Sequence, residues 1–232
     1  MNQVTARIPR DLPTIAASHV AYRLRPGAAY THPTPLRSEP VQLRKLKYHV
    51  NVSVDGFILS NGEGFDAFPQ GDDATQYLQS LHAYGIALMG RRTYEAGLQT
   101  GIEDPYPHLM SYVFSRTLGM RHGSQVEVVS GDAAQWVRGL KTCPGKDLYL
   151  CGGAQLAASL FKARLIDEVI LKVSPVLRGS GRRLLSGLDT DIALVCESST
   201  AYDDGVVMLV YRVQAGEARN ADMTPSLSSS LP

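Results

Sequence analysis

The sequence predicts an α/β domain of three layers: a mostly parallel mixed sheet, helices on both faces, and an antiparallel hairpin at the C-terminal end. Three observations lead there. Between residues 46 and 213 short apolar runs alternate with helical patterns, as in strands joined by helical crossovers. The last two runs, near 192–199 and 206–213, have no helical pattern between them, so they pair with each other and make the sheet mixed. Outside this region the apolar periodicity stops.

The elements follow in order. Residues 46–54 alternate with period two, a strand. Asp55 and Gly56 turn or bulge the chain, 57–59 continue extended, and Asn61-Gly62 turns it again. Asp72 or Asp73 caps a helix running to about Tyr84, with Tyr77, Leu78 and Leu81 on one face. Residues 86–89 are a buried strand ending at Gly90, and 91–97 a helix. Strands follow at 111–114 and 126–129. Asp132 caps a helix to Leu140 whose apolar side carries Ala133, Trp136, Val137 and Leu140. Residues 147–151 form a strand, two glycines turn, and 154–163 form a helix. The run 167–173, rich in Val, Ile and Leu, is the strand before the closing hairpin.

Residues 1–44 hold six prolines and no sustained period, and read as a basic, poorly ordered arm. The chain therefore divides into an arm 1–44, a domain 45–214 and a polar, disordered tail 215–232. The net charge of +1 conceals an asymmetry. Residues 1–47 carry eight basic and two acidic side chains, and the remainder 15 and 20. A mildly acidic body argues against a nucleic-acid-binding core. The 44% hydrophobic and 19% charged content is ordinary for a globular chain. No stretch is apolar and long enough to span a membrane, and none resembles a signal peptide. Cys143, Cys151 and Cys196 form no disulfide framework and no metal pair. The six histidines lack ligand spacing, so no metal is expected. These features imply a soluble, cytoplasmic protein with neither nucleic acid nor membrane as partner.

Two strand–glycine–helix junctions are the first site candidates, the alternatives being a tight strand-to-helix turn for one and a helix start with solvated arginines for the other. CGGAQL at 151–156 and MGRRTYE at 89–95 each end a strand at glycine and start a helix. Free amides and the helix dipole then face one spot, which suits a pyrophosphate. Parallel strands bring such junctions to one sheet edge. Arg91 and Arg92 supply donors for phosphate, and the Thr93 hydroxyl adds another. After the strand ending at Phe114 stand Ser115 and Arg116, the latter suited to a 2′-phosphate, or alternatively a capping serine beside a surface arginine. Asp55, at the end of the first strand, is a candidate acid if burial or cofactor contact raises its pKa. Local backbone amides satisfying it is the other reading, and Asp72 and Asp73 are rival acids. The strand at 167–173 runs into Pro175 and a glycine loop that walls a pocket or bends the sheet edge. GxGxxA at 62–67 follows a turn and carries Glu63 and Asp66, which repel phosphate; SxxK at 159–162 lies inside a helix. Neither is functional.

Taken in order, SVDGFI, MGRRTYE, SRT, CGGAQL and LIDEVILKVSPVLRGSG resemble the C-terminal reductase domain of bifunctional riboflavin-biosynthesis deaminase–reductases, and most of all its stand-alone bacterial members. The resemblance covers about residues 46–213 and implies the dihydrofolate reductase fold. It also implies NADPH, held by Gly90, Arg91, Arg92, Thr93, Ser115, Arg116, Gly152, Gly153, Ala154, Gln155 and Leu156. It places Asp55 near the nicotinamide as the catalytic residue, with Val54, Phe57, Pro175 and Leu177 as the substrate wall. Dihydrofolate reductases carry their acid on the helix after the first strand, where this chain has Ala74. The HxE and PCxxC signatures of the deaminase domain are absent. The expected activity is NADPH-dependent reduction of a C=N or C=O bond in a small heterocyclic or sugar-derived substrate by a homodimer. The alternative is a ligand-binding or interaction protein on the same fold without turnover.

Overall fold

The first strand, β1 (Leu46–Ser53), shows how the chain sorts its faces. Successive side chains point to opposite sides of a sheet. Leu46, Tyr48, Val50 and Val52 enter one apolar core, while Lys47, His49, Asn51 and Ser53 alternate onto the other face. The computed structural model describes residues 43–59, 73–119 and 124–214.

Seven further strands join β1: β3 (Tyr84–Gly90), β4 (Met110–Phe114), β5 (Val126–Val129), β6 (Asp147–Gly152), β7 (Glu168–Ser174), β9 (Leu194–Ala201) and β10 (Val207–Val213). Their spatial order is β5-β4-β3-β6-β1-β7-β10-β9. The six from β5 to β7 are mutually parallel. β10 runs antiparallel to both β7 and β9, so the closing hairpin is the mixed edge of the sheet. A second, two-stranded sheet pairs β2 (Phe57–Leu59) with β8 (Arg182–Arg183).

Helices cover both faces. On one, α3 (Ala133–Thr142) and α4 (Ala154–Lys162) lay Val137, Ala157, Leu160 and Phe161 against Leu46, Tyr48, Leu88, Leu148 and Leu150. Full burial of each such leucine contributes about 2 kcal/mol. On the other face, α1 (Asp73–Ser80) and α2 (Arg91–Gln99) bring Tyr77, Tyr94 and Leu98 against Ala87, Met89, Tyr149 and Cys151. This second core contains a polar layer. The hydroxyls of Tyr77 and Tyr106 lie 2.7 and 3.3 Å from that of Tyr149, and His49 Nδ1 lies 3.3 Å from the Tyr84 hydroxyl. Burial, with the charge of Lys47, lowers the His49 pKa to about 4. Burial likewise pushes the Cys151 thiol up to about 12, so it is not a thiolate at neutral pH.

Two differences from the sequence reading have a physical reason. The helix expected to reach Tyr84 ends at Ser80, followed by a short 3₁₀ turn at Leu81–Ala83. Tyr84 instead opens β3, its ring stacked on Tyr149 at 5.0 Å between centroids. Burial of that ring outweighs local periodicity. β8 was not expected, because two arginines in a glycine-rich loop carry no strand signal. The Asn61-Gly62 turn, the Asp72 cap, the arm apart from Leu43 and Arg44, and the tail lie outside the described residues, as does the side chain of Asp73. Among the described residues no helix is long and apolar enough to cross a membrane, and no His, Cys, Asp or Glu group is arranged to hold a metal.

Candidate functional site

The carboxyl ends of β3, β4, β5 and β6 open into a cleft of about 1020 Å³. Gly90, Arg91, Arg92, Ser115, Arg116, Gly153, Ala154, Gln155 and Leu156 line it, nine of the eleven positions expected to hold a cofactor. Register makes this possible: Gly90 pairs with Phe114, and Met89 with Gly152, so both glycine junctions end at one level of the sheet.

Close approach explains the glycines. A Cβ on Gly153 would lie 3.1 Å from Gly90 N, 3.2 Å from Gly90 Cα and 3.3 Å from Leu156 Cβ. Gly153 also has φ +106°, a conformation that side chains resist. Two helix N-termini are thereby brought side by side. Neither Gly90 nor Gly153 offers a side-chain cap, which leaves the first amides of α2 and α4 for an anion. A third N-terminus borders the cleft, that of α3, but it is already occupied. Asp132 accepts from Ala134 N at 2.7 Å and Gln135 N at 3.1 Å.

The two remaining positions do different work. Thr93 and Gly152 are not among the lining residues. Thr93 is turned inward, 4% exposed, and a Cβ on Gly152 would lie 3.0 Å from Thr93 Cγ2. Thr93 packs the two junctions together. Ser115 lines the cleft, yet its Oγ accepts from Thr117 N and Leu118 N and so caps its own turn.

Electrostatically the cleft is one-sided. Arg91, Arg92, Arg116, Arg182 and Arg183 line it, against a single carboxylate among the described lining residues, Asp132. Among the described residues Arg92, Arg116 and Arg182 have no ion-pair partner, and Arg91 reaches only Glu95, at 3.4 Å. Burial and the nearby charge of Arg92 lower the pKa of Arg182. Arginines converging in this way favour a polyanionic ligand. Sequence reading missed Arg182, Arg183 and the Ser130-Gly131 turn, because the strand pairing that brings β8 to the cleft joins residues more than 120 positions apart.

Asp55 differs from its expectation. Its carboxylate accepts from Ser53 Oγ at 2.6 Å, from Arg178 N at 3.1 Å and from Gly179 N at 2.7 Å. The Ser53 hydrogen bond leads, with the two amides adding to it, and the pKa falls to about 2. Desolvation pushes the other way and is outweighed, so the carboxylate stands below its ordinary range and not above it, as a burial-raised acid would. The intended substrate wall does not close on the cleft either. Val54 and Leu177 are 61% and 73% exposed and Pro175 is exposed, while Phe57 is buried with the Arg183 guanidinium 5.1 Å from its ring centroid. On the neighbouring strand pair a buried polar row was missed. Asn51 is level with Lys172, and Ser53 with Ser174. Ser174 Oγ donates to Asn51 Oδ1 at 2.9 Å, and Lys172 is 6% exposed.

A family model supplies the assignment: the RibD C-terminal domain matches residues 44–208. The chain belongs to the RibD C-terminal domain family. Its curated relatives include the uncharacterized proteins YyaP and YwjB of Bacillus subtilis (strain 168). YyaP is 28% identical over 72% of this chain and 94% of its own length, and YwjB 27% identical over 70% and 95%. Among solved structures, a Shewanella sp. PV-4 protein assigned to riboflavin biosynthesis matches with a TM-score of 0.64 and 22% identity, over 73% of this chain and 99% of that one. RibD of Acinetobacter baumannii matches with a TM-score of 0.54 and 16% identity, over 75% of this chain and 58% of that one. The fold is thus the dihydrofolate reductase type expected from the motifs.

Proposed function

We propose that this RibD C-terminal domain protein is an NADPH-dependent reductase of a small heterocyclic or sugar-derived substrate. One observation carries the reading: two uncapped helix N-termini, held side by side by Gly90 and Gly153, face an arginine-rich cleft at the carboxyl edge of a parallel sheet. That cradle is backbone where any larger residue would intrude, which fits a pyrophosphate. Arg92 and Arg116, exposed and without ion-pair partners among the described residues, suit the additional 2′-phosphate. When bound, NADPH supplies the hydride, and the chain supplies binding and orientation. On β1 and β7, outside the residues that line the cleft, Asn51 stands level with the buried Lys172 and is hydrogen-bonded to the buried Ser174.

The ionised state of Asp55 also favours a second reading, a dinucleotide-binding protein without turnover. Parallel calorimetric titrations with NADPH and NADH at two salt concentrations test what the readings share. Tight, salt-sensitive NADPH binding and weak NADH binding are expected. Absence of binding by either overturns both. Oxidation of NADPH in the presence of a carbonyl or imine heterocycle then separates the enzyme from the binder.

A further inference from the structure

Arg182 and Arg183 reach the cleft from a direction that neither glycine junction explains. They form β8, paired with β2 so that Phe57 is level with Arg183 and Leu59 with Arg182. The chain on either side of β8 is fastened to the chain before β2 by several ties. Val54 N donates to Val176 O at 3.0 Å, and Leu184 N to Gly56 O at 3.0 Å. The Arg183 guanidinium covers the Phe57 ring. Between these ties sits the Asp55 carboxylate, gathering the Ser53 hydroxyl and the amides of Arg178 and Gly179. Gly179 and Gly181 both have positive φ, at +69° and +133°. A segment of that flexibility needs an anchor to present Arg182 in one place.

We propose that Arg182 is a phosphate-binding residue of the cleft and that Asp55 is the positioning residue that sets it there. The inference rests on the dinucleotide reading and deepens it. Arg182 stands near Arg92 across the cleft, and Glu95 is the carboxylate whose charge reaches it. Two guanidinium groups held near one another repel until an anion lies between them. Asp55 supplies the rigidity for this. Its oxygens accept from backbone amides four and three residues before Arg182, so the position of the guanidinium follows from the position of the carboxylate. In this proposal Asp55 acts through Arg182.

A double-mutant cycle on ligand affinity tests the proposal, with inorganic pyrophosphate and NADPH as probes. Wild type, R182A, D55A, D55A/R182A, R116A and D55A/R116A would be titrated by calorimetry. R182A is expected to weaken both probes about tenfold, as loss of one charge-assisted contact does. D55A should weaken them about three- to tenfold. The D55A/R182A protein should bind no more weakly than R182A alone, because Asp55 acts through Arg182. D55A/R116A should show the product of its two single effects. A purely structural Asp55 would multiply equally with both arginines, and that result overturns the positioning role. R182A binding pyrophosphate like wild type overturns the phosphate role. If D55A does not fold, D55N, which keeps one acceptor oxygen for the amides, takes its place in the same cycle. Failure of the underlying reading looks different: wild type would then bind pyrophosphate in an Arg182-dependent way and show no affinity for NADPH.

Discussion

The two edges of the parallel sheet use charge in opposite ways. At the amino edge Lys45, Lys47 and Lys141 each meet a carboxylate. Lys45 Nζ lies 2.6 Å from Glu168, Lys47 Nζ lies 3.2 Å from Asp147 and 3.0 Å from Glu168, and Lys141 pairs with Asp167. The same acids also receive backbone amides, Lys45 N on Asp147 and Leu46 N on Asp167. At the carboxyl edge Arg92, Arg116 and Arg182 converge without such partners among the described residues, and the one lining acid, Asp132, is engaged as a helix cap. Charges that neutralise one another hold strands β1, β6 and β7 in register. Charges left unbalanced store a demand that a ligand meets. The comparison separates groups kept for the fold from groups kept for binding, at opposite edges of one sheet.

The largest effect should come from breaking the balanced edge. Burial would raise the Glu168 carboxyl, but hydrogen bonds and charge from Lys45 and Lys47 override it and hold it below its usual range. Glu168→Gln should cost about 3 kcal/mol in urea unfolding, since it strips a largely buried pair of one partner, with NADPH affinity unchanged. The pH dependence follows from the depressed carboxyl. Its contribution is complete above the unfolded carboxyl pKa and is lost as pH falls through the lower folded value. The variant should therefore show a shallower acid limb than wild type.

Gly153→Ala comes next. It places a Cβ against Gly90 in a strained φ region, and should lose about 2 kcal/mol of stability together with at least tenfold in NADPH affinity. Loss of stability alone would mean that the junction is only a packing device. Arg116→Gln should lower NADPH affinity about tenfold, with less effect at high salt and with stability unchanged or slightly raised, because a like charge leaves the cleft. A fall of several degrees in melting temperature would break the comparison. Asp132→Ala is the smallest: about 1 kcal/mol of stability for the lost cap, and NADPH affinity equal to or slightly above wild type, because a negative charge has gone.

Much of the fold was legible because its signals are local. The run at 126–129 gave β5 with the same bounds, Asp132 capped α3, and the glycines at 90 and 152–153 marked the two junctions. The cleft was legible to the same extent, since both junctions end parallel strands. What could not be read was sidedness. Thr93 and Arg92 are neighbours in a first helical turn, and only packing against Gly152 turns one inward. Asp55 looked like a possible acid because its three partners include two amides more than 120 residues away.

By itself, the sequence determined the alternation of strand and helix, the glycine junctions and the helix cap, all consequences of backbone sterics and apolar period. Only the tertiary structure decided that Arg182 enters the cleft, that Asp55 is tied to distant amides, and that Asn51 shares a polar row with the buried Lys172 and Ser174. The physical reason is that charge state and exposure depend on which distant groups arrive, and long-range strand pairing governs that arrival.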